Sequence, residues 1–373
     1  MKILHIFKIT GISGSENHLL TLLPRLAERG LEVVVIMMVE SGNPVTEFSQ
    51  ILEKSGVRVF RVKIGFHISL PAFLKIKGII KAEMPDIVHT HLIHGDFYGT
   101  LAARQVGMKR IIASKHNDDN FRRMKLIRYF NRYFNGRVEK VIAISQALKQ
   151  FCIEYEHVDS GKIEVIRYGL DDFSSKLGDR DLRDQLGYQP EGILFGIIAR
   201  LTEQKGHVYL IKAFREVKKK YPLAKLLVVG SGEMKDELEG LVSELNLDTV
   251  VKFTGRREDT ADIYHALDVF VHPSIWEGFG LVFLEAMSFS LPIIATRVSA
   301  IPEVVKDGET GILVSPKNIT ELTEAMVWMI ENPARRVKMG RLGKNRVDRV
   351  FPVDKMVDKI IGIYKIPQIN QNG

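Results

Sequence analysis

Along most of this chain, short apolar runs rich in β-branched residues alternate with longer stretches of helical period. In the first half the runs fall at residues 3–7, 33–39, 57–62, 87–90, 111–114, 141–145 and 163–166. Helical-period stretches lie between them, at 17–29, 70–81, 97–106 and 121–134 among others. Uninterrupted apolar strands separated by amphipathic helices mark a mostly parallel sheet with both faces covered. The rhythm breaks at 168–192, a polar stretch with four glycines and Pro190. It restarts with runs at 193–199, 226–230, 250–254, 269–272, 293–296 and 312–314, and helical stretches at 208–220, 234–245 and 280–289. The pattern predicts an α/β chain of two doubly wound, Rossmann-like domains, residues 1–170 and 171–352, followed over 353–373 by a last helix and a loose tail. Open α/β sheets bind ligands at the carboxyl ends of their strands. Two such domains facing each other predict a central cleft, with ligand residues placed just after strands.

Three segments carry candidate chemistry, and each follows a predicted strand. The first runs from His272 through Glu277, Gly278, Phe279, Gly280 and Leu281 to Glu285. A glycine-rich turn that opens a helix frees the N–H groups of Phe279, Gly280 and Leu281, with the positive helix end behind them, as a cradle for anions or hydroxyls. Glu277 and Glu285 stand eight residues apart, too far along a helix to converge on one bond as a hydrolase pair must. They suit the two ends of an extended ligand. The second segment runs from Arg200 to Lys205, two fixed cations able to neutralise a diphosphate without a metal. The third runs from Thr10 to Asn17 and contains Gly11 and Gly14. It is a phosphate-friendly turn, but Asn17 occupies the place of the third glycine in a dinucleotide fingerprint. His116 follows the strand at 111–114, where ligand residues belong.

Composition narrows the partners. The chain has 373 residues, 45% hydrophobic and 26% charged, which excludes collagen-like, disordered and disulfide-stapled classes. A single cysteine, Cys152, forms no internal disulfide and fits a reducing, cytoplasmic setting. No secretory leader and no 18-residue apolar run is legible, so no membrane span is expected. The net charge of +8 is uneven: residues 1–170 hold 25 Lys and Arg against 16 Asp and Glu, and the remainder 28 against 29. This excess points either to an anionic partner of the first domain or to a plain solubilising surface. Residues 121–134, from Phe121 to Phe134, hold five basic side chains, no acidic one and several aromatics. Met124, Ile127, Phe130 and Phe134 fall near one face of such a helix, with Arg122, Lys125 and Arg132 off it. The pattern fits an anionic membrane surface at the inner face of the membrane and, equally, a helix burying its stripe on the sheet. No nucleic-acid recognition motif accompanies the charge.

Together these motifs resemble those of the retaining GT-B glycosyltransferases, specifically glycosyltransferase family 4, over essentially the whole chain. Glu277 and Glu285 are similar to that family's E-x7-E motif, Arg200 and Lys205 to its phosphate-binding pair, and the Gly14 turn to its N-terminal glycine loop. The resemblance implies a retaining hexosyltransferase that uses a UDP- or GDP-linked sugar and a glycan or lipid-linked acceptor, with no metal or other cofactor. It implies that Glu285 holds the ribose, and that Arg200, Lys205 and Gly14 hold the diphosphate. Glu277 and the turn from Gly278 to Leu281 would hold the sugar hydroxyls, with His116 near the reacting face and the base near Gly230 and Arg256. The acceptor would dock on the first domain, onto which the last helix would cross back. Ser15, Ala199, Ser299 and Ala300 stand where the family often has glycine, and none of these departures removes a needed charge.

Two other readings stay open. A nucleotide-sugar epimerase or dehydrogenase is disfavoured by the broken dinucleotide fingerprint. A non-catalytic GT-B-like carbohydrate or membrane-binding module is disfavoured by the intact charged residues. Two short strings read as chance matches. Asp179, Arg180 and Asp181 form a D-x-D in the connector, and Pro222 forbids the helical register that would pair Tyr221 with Lys225.

Overall fold

The computed structural model describes all residues except 41, 44, 66–67, 119, 179–181, 188–191 and 367–373. The D-x-D string, part of the connector and most of the tail therefore lie outside the described residues, as does the side chain of Phe121. The chain forms two compact units, one of Met1–Gly169 with Val353–Gly373, the other of Leu170–Pro352.

In the first unit the strands are β1 (Lys2–Lys8), β2 (Glu32–Glu40), β3 (Arg58–Ile64), β4 (Ile87–His91), β5 (Ile111–Lys115), β6 (Lys140–Ala143) and β7 (Ile163–Val165). They form one parallel sheet in the order β3-β2-β1-β4-β5-β6-β7. The middle of β2 and all of β4 and β5 are buried, as helices on both faces require. The helices are α1 (Gly14–Glu28), α2 (Thr46–Lys54), α3 (Leu70–Glu83), α4 (Leu92–Gln105), α5 (Lys125–Asn135) and α6 (Gln146–Glu156). Ser13 and Glu16 close a capping box at the start of α1.

Two predicted helices differ. The one expected at 97–106 begins at Leu92, directly after β4, with Leu92 itself at φ 61°. Gly95 sits in the first turns of α4, where a Cβ would meet the Ile6 carbonyl at 2.4 Å, so only glycine lets the helix lie that close to β1. The helix expected over 121–134 is two pieces. A 3-10 turn covers Asn120–Arg123, Met124 is extended, and α5 follows.

The second unit holds β8 (Leu194–Ile198), β9 (Lys225–Val229), β10 (Val251–Phe253), β11 (Val269–His272), β12 (Ile293–Thr296) and β13 (Gly311–Val314). They form a parallel sheet in the order β10-β9-β8-β11-β12-β13. Its helices are α7 (Leu182–Leu186), α8 (His207–Lys220), α9 (Lys235–Glu244), α10 (Thr260–Ala266), α11 (Leu281–Ser288), α12 (Ile301–Val304), α13 (Ile319–Glu331) and α14 (Pro333–Val350). The core is built from fully buried side chains of these elements, such as Phe195, Phe214, Val269 and Met326.

The last helix, α15 (Val353–Lys365), belongs to the first unit. Asp354 and Asp358 pair with Arg29, the residue that caps the end of α1, and the Tyr364 hydroxyl lies 2.7 Å from His89 Nδ1.

Candidate functional site

In the second sheet the strand order reverses between β8 and β11, the place where a parallel sheet opens a crevice at its carboxyl edge. Arg200 and Lys205 follow β8, and His272 to Glu277 follow β11, so the fold delivers both segments to that point. Gly206, at φ 69°, reverses the chain after a short 3-10 turn. A Cβ on it would meet the Pro273 carbonyl at 2.1 Å, so glycine alone lets the β8 loop lie against the β11 loop. Across this contact Lys205 Nζ lies 2.6 Å from Glu277 Oε2. His272 Nε2 is 3.4 Å from the same oxygen, and the Ser274 hydroxyl donates to it at 3.4 Å. Burial alone would raise the Glu277 pKa, but the Lys205 ammonium and His272 reverse this and hold the carboxyl well below the usual carboxylate range. Sequence reading assigned Lys205 and Glu277 separate duties. The structure joins them as one ion pair.

Gly280, at φ 80°, precedes α11, and a Cβ on it would meet the Phe283 ring at 2.5 Å. Because α11 starts at Leu281, the N–H groups of Gly280 and Leu281 have no backbone acceptor among the described residues. Phe279 is a buried wedge against Phe351, and Gly278 is buried beside Glu277. Glu285 is half-buried and accepts from the Tyr264 hydroxyl at 2.8 Å. Burial raises its pKa, with the Tyr264 hydrogen bond and Lys176 opposing. Gly230 ends β9 in a backbone only glycine adopts readily, at φ 142°, and a Cβ would meet the Ala199 carbonyl at 1.8 Å. Its N–H donates to the Gly255 carbonyl at 2.9 Å. Gly230 thus ties together the residues preceding Arg200 and Arg256, both exposed. Tyr221 ends α8 and Lys225 begins β9, so the dehydrogenase-like pair has no helical register.

His116 and Gly14 belong to the first unit. There the reversal lies between β1 and β4. Gly14 opens α1, and open space lies where its Cβ would be, as it does at Gly11. A cavity of about 250 Å³ lies at this edge, lined among others by Lys8, Glu16, Asp96, Lys115, His116 and Arg122. Its base is a buried ion network. Lys115 Nζ is 2.5 Å from Asp96 Oδ2 and 3.7 Å from a Glu156 oxygen, and Arg122 pairs with the same Glu156. Asn131 donates to Glu156 at 2.8 Å. Burial opposes ionisation throughout, yet Lys115 and Arg122 keep the Glu156 pKa low.

This corrects the reading of Arg122 as a surface cation. It is buried because Glu156, on another helix, needs a partner. The predicted apolar stripe of α5 is also split: Phe134 is buried and Ile127 half-buried, but Met124 and Phe130 face solvent. Leu126, Tyr129 and Tyr133 join them, beside exposed Arg123, Lys125 and Arg132.

Both ring nitrogens of His116 are engaged within the protein, Nδ1 with Tyr168 Oη at 2.5 Å and Nε2 with His91 Nδ1 at 3.0 Å. Burial pushes its pKa down to about 3. Sequence reasoning missed the histidines behind it. Ring nitrogens of His5, His89 and His91 lie within 4.8 Å of one another, close enough to hold a cation, and all three rings are buried. Three histidines inside two otherwise apolar strands were the legible signal.

The family model described as Glycosyltransferase Family 4 matches residues 12–172, and that described as Glycosyl transferases group 1 matches residues 179–346. The UDP-Gal:alpha-D-GlcNAc-diphosphoundecaprenol alpha-1,3-galactosyltransferase of Escherichia coli is 28% identical, over 98% of this chain and 96% of its own. The GDP-mannose-dependent monoacylated alpha-(1-6)-phosphatidylinositol monomannoside mannosyltransferase of Corynebacterium glutamicum is 28% identical over 75% of this chain and 78% of its own. Anabaena HepE, solved with UDP and glucose, has the same fold at a TM-score of 0.86 and 23% identity, covering 98% of this chain and 99% of that one. Two matched models that together span residues 12–172 and 179–346, over two parallel sheets whose strand order reverses once each, mean that the chain belongs to the GT-B glycosyltransferases of the family 4 type.

Proposed function

We propose that the protein is a retaining hexosyltransferase that takes its sugar from a UDP- or GDP-linked donor without a metal and passes it to a glycan or lipid-linked acceptor. The Lys205–Glu277 pair carries this reading: a cation for phosphate and a carboxylate for sugar hydroxyls meet at the switch point of the second sheet. In this reading Arg200, Lys205 and the Gly14 turn neutralise the departing diphosphate, and the N–H groups of Gly280 and Leu281 bind donor oxygens. Glu285 accepts from the ribose hydroxyls, and the base lies by Gly230 and Arg256. Glu277 and His116 act at the reacting centre, where the acceptor attacks from the face the diphosphate leaves. The relatives support either donor base, since one is named for UDP-Gal and the other for GDP-mannose. Both names also give lipid-linked acceptors. An acceptor of that kind suits an anionic membrane surface at the exposed basic and aromatic face of α5. No helix among the described residues is long and apolar enough to cross a membrane, so attachment there would be peripheral, at the cytoplasmic face.

A thermal-shift screen against UDP, GDP, ADP, their sugar conjugates and NAD tests this. One nucleoside diphosphate should raise Tm, and Lys205→Ala and Glu285→Ala should each abolish the rise. A response to NAD alone, or one indifferent to both substitutions, overturns the reading.

A further inference from the structure

We propose that His5 and His91 are positioning residues that hold His116 at the cavity in a single tautomer, through a run of hydrogen-bonded imidazoles whose N–H groups all point the same way. For its consequence in catalysis the inference rests on the reading of His116 as a sugar-contacting group; its geometry does not.

β1 and β4 are neighbours, with His5 opposite His89. Strand alternation puts His91 on the same face as His89. All three rings are fully buried. His5 Nδ1 lies 2.9 Å from His91 Nε2, His91 Nδ1 lies 3.0 Å from His116 Nε2, and His116 Nδ1 lies 2.5 Å from Tyr168 Oη. Each contact requires one hydrogen. A neutral imidazole carries one N–H, and burial keeps these rings neutral at pH 7. A ring that donates at one nitrogen therefore accepts at the other, so one direction runs through all three.

Pointing the run inward, from Tyr168 to His5, would leave an N–H on His5 Nε2, which has no hydrogen-bond partner among the described residues. A buried orphan donor is rarer and costlier than an unfilled acceptor. The run therefore points outward. His5 donates to His91, His91 donates to His116, and His116 donates through Nδ1 to Tyr168. His89 stands beside the run, its own nitrogens 2.8 Å from Ser114 Oγ and 2.7 Å from Tyr364 Oη, and it stacks on His91 at 4.3 Å. His116 lines the cavity, and with both nitrogens taken up in the run the placement of the ring there is set two rings deeper in the sheet.

Asparagine places its amide nitrogen where histidine has Nδ1, and glutamine places it where histidine has Nε2. His91→Asn therefore keeps the donor to His116, and His91→Gln discards it at similar size and polarity. Imidazole 15N NMR of the full chain should show His116 protonated on Nδ1 in the wild type and in His91→Asn, and a tautomer mixture in His91→Gln. With UDP-galactose, UDP-glucose or GDP-mannose as donor, kcat should fall about tenfold further in His91→Gln than in His91→Asn, with KM for the donor within about twofold. If the His91 variants do not fold, His5→Asn and His5→Gln make the same comparison. His116 protonated on Nε2 in the wild type, or an identical His116 spectrum in every variant, overturns the proposal. So does a stoichiometric cation in the purified protein that is lost in His91→Gln. Spectra as expected in a protein that turns over no donor leave the imidazole run standing and sink the transferase reading instead.

Discussion

Glu277 and Glu285 come from one motif, and their surroundings push them in opposite directions. Glu277 touches Lys205 and stays ionised far into acid, whereas burial raises the pKa of Glu285 against weaker opposition from Tyr264. As pH falls, Glu285 therefore takes up a proton before Glu277 and loses the charge with which it accepts from donor hydroxyls, while the Lys205–Glu277 pair persists. The expected outcome is a nucleotide-sugar affinity that weakens on the acid side in the wild type. In Glu285→Gln it should be nearly flat, and weaker by about tenfold at pH 7. Calorimetric titration at constant ionic strength measures both slopes, and equal slopes would refute the assignment. The two glutamates were legible by position alone. Their opposite tuning was not, because it depends on Lys205 and Tyr264, brought in from other strands and helices.

Among the elements, α5 departs furthest from expectation. Its inward side sets Phe134 beside Asn131 and Asn135, which serve the buried Glu156, and its outward side carries Tyr129 at 71% exposure and Phe130 at 43%. Exposed aromatics interleaved with cations are what an anionic bilayer interface takes up. Replacing Tyr129 and Phe130 together by serine should reduce binding to vesicles containing anionic lipid by about tenfold or more, with Tm nearly unchanged. Sedimentation with vesicles measures it, and undiminished binding would end the idea. Arg122→Glu should behave differently. It removes one partner of a buried pair and sets two carboxylates together, at a cost of about 3–5 kcal/mol. Loss of the folded first unit, rather than salt-sensitive release from vesicles, is the expected result. Helical periodicity could not separate these roles, since it locates a face without saying what covers it. For the same reason the strands were legible almost to the residue, while the early start of α4 was not. The reason for a glycine inside that helix, Gly95 against the Ile6 carbonyl, comes from a strand far away in the chain.

At the scale of the whole molecule, the two units differ in how they should respond to acid. Burial lowers the pKa of His5, His18, His89, His91 and His116 in the first unit, and of His207 and His272 in the second. Each group has an ordinary value of 6.5. Their contribution is complete above that value. It is lost progressively as pH falls, because the unfolded chain binds protons that the folded chain refuses until far lower, about 3 for His5, His116 and His207. Well below 6.5 each such histidine costs about 1.4 kcal/mol of stability per pH unit. Amide exchange followed from pH 7.5 to 5 should therefore show β1 and β4 losing protection before β8 and β11. Equal loss in both units would contradict this. The alternation of apolar runs with helical stretches is a local property, and it determined the fold class, the succession of strands and helices and the strand ends after which the candidate residues lie. Which of those residues meet was decided only by the tertiary structure. Lys205 reaches Glu277 across 72 positions, His5 reaches His91 across 86, and Arg122 reaches Glu156 across 34. Such pairs leave no periodic trace in the chain, because burial and pairing are set by neighbours that come from elsewhere in the fold.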